Sequence, residues 1–164
     1  MVDLYQGLSD QETLILTSLM KTDPDLILER PGAIYLGNVS HAQNLEILKS
    51  KGIQVVLQVS GEITEPPHPE HFEYHQFVLG DSEQADITEH AKRAVEIIEK
   101  CHQEGKTVFV HCSAGQSRSA SLVIAYVMKT HQLSFQEALN LVTVGRPCVA
   151  PNEGFKKTLS TMQF

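Results

Sequence analysis

Apolar positions along this chain follow two spacings, and their order predicts an α/β fold. Short runs of branched and aromatic residues predict strands at 26–29, 33–36, 53–59, 72–79 and 107–110. Apolar residues three and four apart predict helices at 9–20, 41–51, 88–103, 119–130 and 134–144, with a last helix after residue 152. Strands separated by helices, followed by a run of helices, indicate a central, mostly parallel (mixed) sheet of about five strands with helices on both faces.

Local signals support several of these boundaries. Ser134 and Glu137 form a capping-box pattern at the start of one helix, and Thr88 is predicted to cap the long helix that follows it. Gly52 and Gly105 stand where two helices are predicted to end. The segment 62–70 contains three prolines and is therefore predicted to be a loop.

Length and composition predict one soluble globular domain spanning residues 1–164, with 41% apolar and 20% charged residues. The formal net charge of −7 argues against nucleic acid or an anionic membrane surface as a partner. The longest apolar run, 122–128, is too short to span a membrane. The N-terminus shows neither a secretory signal nor a glycine at position 2 for myristoylation. We therefore expect a cytoplasmic and/or nuclear protein without a membrane anchor.

The chain has three cysteines, Cys101, Cys112 and Cys148. An odd, low count without CxxC spacing predicts neither a disulfide framework nor a zinc site. Three histidines between residues 68 and 75 straddle the proline-rich loop and the following strand, so solvated histidines are favoured over a metal site. The sequence therefore predicts no metal and no other cofactor.

The strongest chemical signal is the segment 107–119, in which Cys112 follows a buried strand and Arg118 starts a helix. A loop of this length, with Gly115 inside it, can curl so that successive backbone N–H groups point at one oxyanion. The helix N-terminus adds its positive dipole end, and Arg118 offers two parallel N–H donors. The same field favours an ionised Cys112 thiolate that attacks phosphorus and forms a phosphocysteine. The alternative, a buried structural cysteine beside a surface arginine, is disfavoured by the strand and the helix that flank the loop.

With Ala114-Gly115, Ser117 and Ser119, this segment resembles the Cys-x5-Arg phosphate-binding loop of the protein tyrosine phosphatase superfamily. It is similar in particular to the small, atypical dual-specificity phosphatases, and the likeness extends from about residue 33 to the C-terminus. The resemblance implies the α/β fold described above. It also implies a metal-independent enzyme that hydrolyses phosphotyrosine and phosphoserine or phosphothreonine of proteins.

The resemblance further implies a role for each residue around the loop. Cys112 would be the nucleophile, Ser119 would hydrogen-bond its sulfur, and His111 would order the loop. Asn152 would either cap the last helix or brace the loop, and both roles stay open. Phosphate would be bound by Ser113, Ala114, Gly115, Gln116, Ser117 and Arg118.

Phosphate-ester cleavage is faster when the leaving oxygen is protonated as it departs. Asp81, in the loop after the fourth predicted strand, stands where the family has its general acid. Asp86 is the main rival, although its place just before a predicted helix is an adequate structural reason for an acidic residue. Glu83 is a weaker rival.

Other substrates and a role without catalysis are the alternatives. Uncharged variable positions in the loop and a pI near 5.6 favour a phosphoprotein over a phosphoinositide, an RNA 5′-triphosphate or a phosphoglucan. A phosphate-binding scaffold without activity is disfavoured because Asp81, Cys112 and Arg118 are all present. The oligomeric state stays open, as does a redox disulfide of Cys112 with Cys101 or Cys148.

Overall fold

The computed structural model describes residues 4–164, in which five strands form one mixed sheet. They are β1 (Asp25–Leu28), β2 (Ile34–Gly37), β3 (Ile53–Ser60), β4 (Glu73–Val78) and β5 (Thr107–His111). Their order across the sheet is β1-β2-β5-β3-β4. β1 is antiparallel to β2, and the other neighbouring strands are parallel. The predicted mostly parallel sheet of about five strands is confirmed.

Within residues 4–164, seven helices surround this sheet. They are α1 (Asp10–Met20), α2 (Val39–Gln43), α3 (Leu45–Ser50), α4 (Thr88–Gln103), α5 (Arg118–His131), α6 (Phe135–Gly145) and α7 (Glu153–Thr161). Ser134 and Glu137 form the predicted capping box of α6. Across this part of the chain, no helix combines the length and the apolar character needed to cross a membrane. The expectations about position 2 and the N-terminal signal rest on residues 1–3, which lie outside the described residues.

Each face of the sheet has its own hydrophobic core, because alternate residues of a strand point to opposite sides. On β5, Val108 and Val110 pack in the larger core, and Phe109 packs in the smaller one. Helices α4, α5, α6 and α7 supply side chains to the larger core, and α2 and α3 supply them to the smaller. Helices therefore cover both faces, as the sequence predicted.

One predicted helix and one predicted helix cap are wrong, although the predicted bounds 88–103 of α4 are confirmed. The predicted helix 41–51 is divided into α2 and α3 at Asn44, which is extended and whose side chain caps α3 by accepting the Ile47 N–H at 3.2 Å. Thr88 does not cap α4. Ile87 is the N-cap residue without a side-chain cap bond, and Asp86 Oδ1 accepts the Thr88 N–H at 2.9 Å. In both cases the side chain of an Asn or Asp accepts a backbone N–H two or three residues later. Such a bond favours a turn or a new helix start at that point over a continuous helix.

The carboxyl ends of β2, β5 and β3 meet at one edge of the sheet. Gly37 pairs with His111 on one side, and Gln58 pairs with His111 on the other. Residues 112–117 follow β5 directly and lead into α5. The segment predicted to carry the chemistry therefore lies at the carboxyl edge, where parallel sheets place their ligand sites.

Candidate active site

Cys112 is the first residue after β5, and its sulfur lies next to the first turn of α5. Its Sγ is 3.0 Å from Ser119 Oγ, as the hydrogen bond expected between these residues requires. Cys112 is only 3% exposed. It nevertheless lines a cleft of about 500 Å³, together with Ser113 and Arg118. A group bound in this cleft can therefore reach the sulfur.

The loop 112–117 is held from outside through its carbonyl groups. The Ser113 carbonyl accepts the Val39 N–H at 3.1 Å, and the Gln116 carbonyl accepts the Ala150 N–H at 2.8 Å. In a trans peptide, a carbonyl and the N–H that follows it point in opposite directions. Carbonyls that are held outward therefore turn the N–H groups of the loop toward its centre, the arrangement that binds an oxyanion.

Arg146 donates hydrogen bonds to the two loop carbonyls that lie between Ser113 and Gln116. Its Nε donates to the Gly115 carbonyl at 2.8 Å and its Nη2 to the Ala114 carbonyl at 3.0 Å, while its Nη1 pairs with Asp25 Oδ2 at 2.9 Å. The side chain is completely buried. Sequence analysis missed this residue as part of the site. The sequence feature that could have indicated its role is that Arg146 is the one charged residue in the segment 144–149.

Gly115 is required for two separate reasons. Its φ of +67° lies in the left-handed region that side chains resist. A Cβ atom there would also lie 2.4 Å from the Gly37 carbonyl oxygen and 2.9 Å from Arg146 Nη2. The loop can therefore pack against β2 and Arg146 only with glycine at this position.

Arg118 is the first residue of α5, so its guanidinium and the positive end of the helix dipole lie at the same place. Its Nη2 donates to Ser113 Oγ at 3.2 Å. Its Nε is buried and has no hydrogen-bond partner within residues 4–164. A buried donor without a partner is unfavourable, and a tetrahedral oxyanion held by the guanidinium would satisfy it.

Asp81 lies against the loop through Ser117 and Asn152. Its Oδ1 accepts Ser117 Oγ–H at 2.8 Å and Asn152 Nδ2–H at 2.9 Å, and the Asn152 N–H donates to Ser117 Oγ at 3.0 Å. Asn152 also caps α7, because its Oδ1 accepts the Phe155 N–H at 2.9 Å. Asn152 therefore caps α7 and is also hydrogen-bonded to Asp81 and Ser117, and bracing of the phosphate site stays a prediction.

Neither rival to Asp81 has a side-chain hydrogen bond to the loop 112–117 among the described residues. Asp86 is exposed, and hydrogen bonds from the backbone and side chain of Thr88 hold its pKa below the ordinary value. The backbone of Glu83 packs on Gly154 in α7, where a Cβ atom would lie 2.1 Å from the Glu83 carbonyl oxygen. Of the three acidic residues, Asp81 alone has a side-chain hydrogen bond to the loop 112–117 among the described contacts.

His111 is buried beside the loop and stacks on Phe109, with ring centroids 5.4 Å apart and planes 20° apart. Its Nδ1 lies 3.3 Å from the Cys112 carbonyl oxygen. Burial lowers the pKa of His111 to about 4, so the ring is neutral at physiological pH. Its position agrees with the expected role of ordering the loop.

Of the histidines between residues 68 and 75, His68 and His75 contact different hydrogen-bond partners. His68 Nε2 lies 2.9 Å from the Gln43 carbonyl oxygen, and His75 Nε2 lies 2.9 Å from Glu73 Oε1. In the part of the chain that the structure describes, no group of three or more His, Cys, Asp or Glu residues is placed to hold a metal ion.

All three cysteines are free, buried thiols. Cys101 packs in the larger core, where burial raises its pKa. Cys148 lies under the loop, since its carbonyl accepts Gln116 Nε2–H at 3.1 Å and its N–H donates to Ser18 Oγ at 3.3 Å. Only Cys112 lines the cleft that contains Arg118.

Comparisons with known proteins agree with this geometry. Residues 34–163 match the family described as dual specificity phosphatase, catalytic domain. The chain is 38% identical to protein phosphatase Slingshot of Drosophila melanogaster over 157 residues, which are 96% of this chain and 14% of that protein. It is 35% identical to dual specificity protein phosphatase 1 of Arabidopsis thaliana over 130 residues, which are 79% of this chain and 65% of that protein.

A solved structure has the same architecture. The human tyrosine phosphatase-like serine/threonine/tyrosine-interacting protein matches with a TM-score of 0.78 and 31% identity, covering 85% of this chain and 94% of that one. The chain thus corresponds to only part of the two curated relatives, and to most of this structural neighbour. Because the family match covers most of its length, the chain belongs to the dual specificity phosphatase catalytic-domain family.

Proposed function

We propose that this chain hydrolyses phosphate monoesters on phosphotyrosine and on phosphoserine or phosphothreonine of proteins. The observation that carries the proposal is the loop 112–117. The carbonyls of residues 113–116 are bonded to groups outside the loop, and this supports N–H groups of residues 114–117 that face its centre, beside Cys112 Sγ and the Arg118 guanidinium. This arrangement binds a phosphate dianion against a sulfur nucleophile. The amides of residues 113–118 and the guanidinium of Arg118 are the proposed phosphate ligands.

In the first step, the Cys112 thiolate attacks phosphorus in line with the leaving oxygen. A P–S bond forms and the P–O bond to the substrate breaks, and Asp81 gives its proton to the departing oxygen. Arg118 and the loop amides hold the three non-bridging oxygens, where negative charge accumulates. The dephosphorylated hydroxyl leaves, and phosphocysteine stays on the enzyme.

In the second step, water attacks the phosphorus of the phosphocysteine. The Asp81 carboxylate takes a proton from this water, the P–S bond breaks, and inorganic phosphate forms. Ser119 donates its hydroxyl proton to a hydrogen bond with the sulfur, 3.0 Å away, and so stabilises the departing thiolate. Neither step uses a metal ion.

His111 and Asn152 are proposed to position the reacting groups. The neutral His111 ring, stacked on Phe109, holds the end of β5 from which Cys112 extends. Asn152 links Asp81 to Ser117 and to the start of α7. Both residues act through their neighbours and do not exchange protons with the substrate.

The proposed substrates are phosphoproteins, as the names of the relatives indicate for those proteins. The loop places uncharged side chains around the phosphate, and the chain carries a net charge of −7, so highly anionic phosphoinositides or RNA 5′-triphosphates are disfavoured. We also propose the cytoplasm or nucleus as the site of action, since a reduced thiol nucleophile persists in those compartments.

The Cys112→Ser substitution tests the proposal. We expect hydrolysis of 4-nitrophenyl phosphate and of a phosphotyrosine peptide to be lost, because a serine hydroxyl is not ionised at neutral pH. Binding of the peptide should persist, because the loop amides and Arg118 remain. Steady-state kinetics and titration calorimetry measure the two properties.

The matched control is Cys101→Ser, which changes a thiol in the larger core that does not line the cleft. This variant should keep its turnover. Undiminished activity of Cys112→Ser would refute the nucleophile assignment. Loss of peptide binding together with activity would show that the loop had not formed.

A further inference from the structure

The cleft above Cys112 extends well beyond the space that a phosphate needs. It runs between α2 and the segment 61–67, which follows β3 and which we call the 61–67 wall. At about 500 Å³ the cleft has room for side chains next to the phosphorylated residue. The residues that form its two sides should therefore select among phosphopeptides.

The 61–67 wall is held in place by hydrogen bonds at its middle and beyond its end. Gln58 Nε2 donates to the Thr64 carbonyl at 3.2 Å, and the Thr64 N–H donates to Gln76 Oε1 at 3.2 Å. Just after the wall, His68 Nε2 lies 2.9 Å from the Gln43 carbonyl oxygen of α2. This contact joins the two sides of the cleft. The backbone of the wall is therefore held in one position before a substrate binds. Its side chains lose less conformational entropy on binding, so their contacts can contribute to specificity.

The charges that line the cleft are unevenly distributed. Glu62 and Glu65 lie on the wall and are exposed. Among the described lining residues Arg118 is the one lysine or arginine, and it is the proposed phosphate ligand. Opposite the wall, Val39 of α2 is 43% exposed and supplies apolar surface. The cleft therefore has two acidic residues on one side and an apolar residue on the other, next to the place where residues that flank the phosphate would lie.

We propose that Glu62 and Glu65 are specificity determinants that select substrates with arginine or lysine beside the phosphorylated residue, and that disfavour acidic or doubly phosphorylated ones. The aliphatic stem of a basic side chain packs on Val39, and its charged end lies between the two carboxylates. An acidic neighbour or a second phosphate meets the same carboxylates and is repelled. This inference rests on the proposed phosphatase function.

The test compares two phosphotyrosine peptides that differ only in their flanking residues, arginine in one and glutamate in the other. We expect kcat/KM of the wild type to favour the arginine peptide by about three- to tenfold, as two solvent-exposed charge pairs allow. The preference should shrink between ~0.01 M and ~0.15 M ionic strength, since screening shortens the range of the interaction. In Glu62→Gln/Glu65→Gln the ratio of the two kcat/KM values should approach one.

For each variant, the result is the kcat/KM for the arginine peptide divided by that for the glutamate peptide. A general change in folding or turnover affects both values equally and therefore leaves this ratio unchanged. The matched control is Glu29→Gln/Glu96→Gln, which removes the same charge from two exposed positions that do not line the cleft. It should keep the wild-type ratio. Three results would overturn the inference: equal rates for both peptides in the wild type, an unchanged ratio in Glu62→Gln/Glu65→Gln, or an equal loss of the ratio in the control.

Failure of the inference and failure of the proposed function are distinguishable. A wild type that hydrolyses both peptides equally well retains the phosphatase function and lacks the selectivity. A wild type that hydrolyses neither peptide nor 4-nitrophenyl phosphate contradicts the function itself. In the same assay, a third peptide with a second phosphotyrosine in place of the glutamate should also be hydrolysed more slowly than the arginine peptide. A preference for this third peptide would be a fourth result against the role of the two glutamates.

Discussion

At the scale of single residues, Asp81 shows how a carboxyl group can be oriented for proton transfer. Ser117 and Asn152 both donate to Oδ1, at 2.8 and 2.9 Å. An oxygen that accepts two hydrogen bonds is poorly suited to carry a proton, so in the acid form the proton belongs on Oδ2. In the proposed mechanism, the two donors therefore make Oδ2 the oxygen that protonates the leaving group.

Asp81→Asn should lower kcat for a phosphotyrosine peptide by roughly 10²–10⁴, the usual size of general acid catalysis. The amide keeps the shape of the side chain and cannot supply the proton. Asp86→Asn is the matched variant and should leave kcat almost unchanged, because Asp86 is engaged with Thr88. Comparison of kcat for the two variants decides the assignment, and the larger loss in Asp86→Asn would reverse it.

Arg146 is the second informative residue, because it joins a buried ion pair to the loop. Arg146→Met leaves the buried Asp25 carboxylate with Lys21 as its one ion-pair partner among the described residues, so we expect the free energy of unfolding to fall by at most about 3–5 kcal/mol. Urea denaturation measures this change. Addition of Asp25→Asn should restore part of the stability, because the buried carboxylate that Arg146 had paired is then neutral.

The double variant separates stability from positioning. Arg146→Met/Asp25→Asn still lacks the donors to the Ala114 and Gly115 carbonyls. We therefore expect KM for phosphopeptide to remain raised although the fold is stable. Full recovery of KM together with stability would mean that Arg146 has a structural role alone.

At the scale of elements, the start of α7 connects the Asp81 loop to the phosphate loop. Asn152 caps the helix and bonds to Asp81, and Gly154 in the first turn packs directly on Glu83. A side chain at position 154 would overlap the Glu83 backbone, which lies two residues from Asp81. We therefore expect the glycine to control how closely Asp81, the proposed acid, approaches the loop 112–117.

Gly154→Ala should displace the Asp81 loop, since its Cβ would lie 2.1 Å from the Glu83 carbonyl oxygen. We expect kcat to fall more for a phosphotyrosine peptide than for 4-nitrophenyl phosphate, because the poorer leaving group depends more on the acid. The control is Gly80→Ala in the same loop, where a Cβ would meet no atom within 4 Å. Equal losses on both substrates would point to general unfolding and contradict the effect on the acid.

At the scale of the whole molecule, three buried or half-buried histidines make stability depend on pH. Burial lowers the pKa values of His41, His102 and His111, the last to about 4. In the folded protein these rings therefore bind protons at a lower pH than in the unfolded chain, where they bind them near pH ~6.5. Below that pH the unfolded state binds more protons, so the free energy of unfolding falls as the pH falls.

We expect the free energy of unfolding to decrease from about pH 6.5 toward pH 4, with His111 contributing up to about 1.4 kcal/mol per pH unit. Carboxylates with lowered pKa values, such as Glu73 and Glu137, act mainly below about pH 4.5. Urea unfolding between about pH 7 and pH 5 therefore isolates the histidines. His111→Asn should flatten the slope, and exposed His131→Gln should not. The same slope in both variants would contradict the assignment.

The predicted architecture and the nucleophile loop could be obtained from sequence because their signals are local. Short runs of branched and aromatic residues distinguish the strands, and Cys112, Gly115 and Arg118 stand within one short segment between a strand and a helix. The errors were local as well. Asn44 and Asp86 bond to nearby backbone N–H groups, and apolar spacing does not record such bonds.

By itself, the sequence determined the order of most elements, the α/β class and the short segment that carries Cys112 and Arg118, the proposed nucleophile and phosphate clamp. Periodicity and a short motif need no distant partner. Only the tertiary structure decided that Arg146 bonds to Asp25 and to the phosphate loop, and that Asp81 meets Ser117 and Asn152. A hydrogen bond requires its two atoms to lie about 3 Å apart. Packing of the helices on the sheet, and not separation along the chain, decides which atoms come that close.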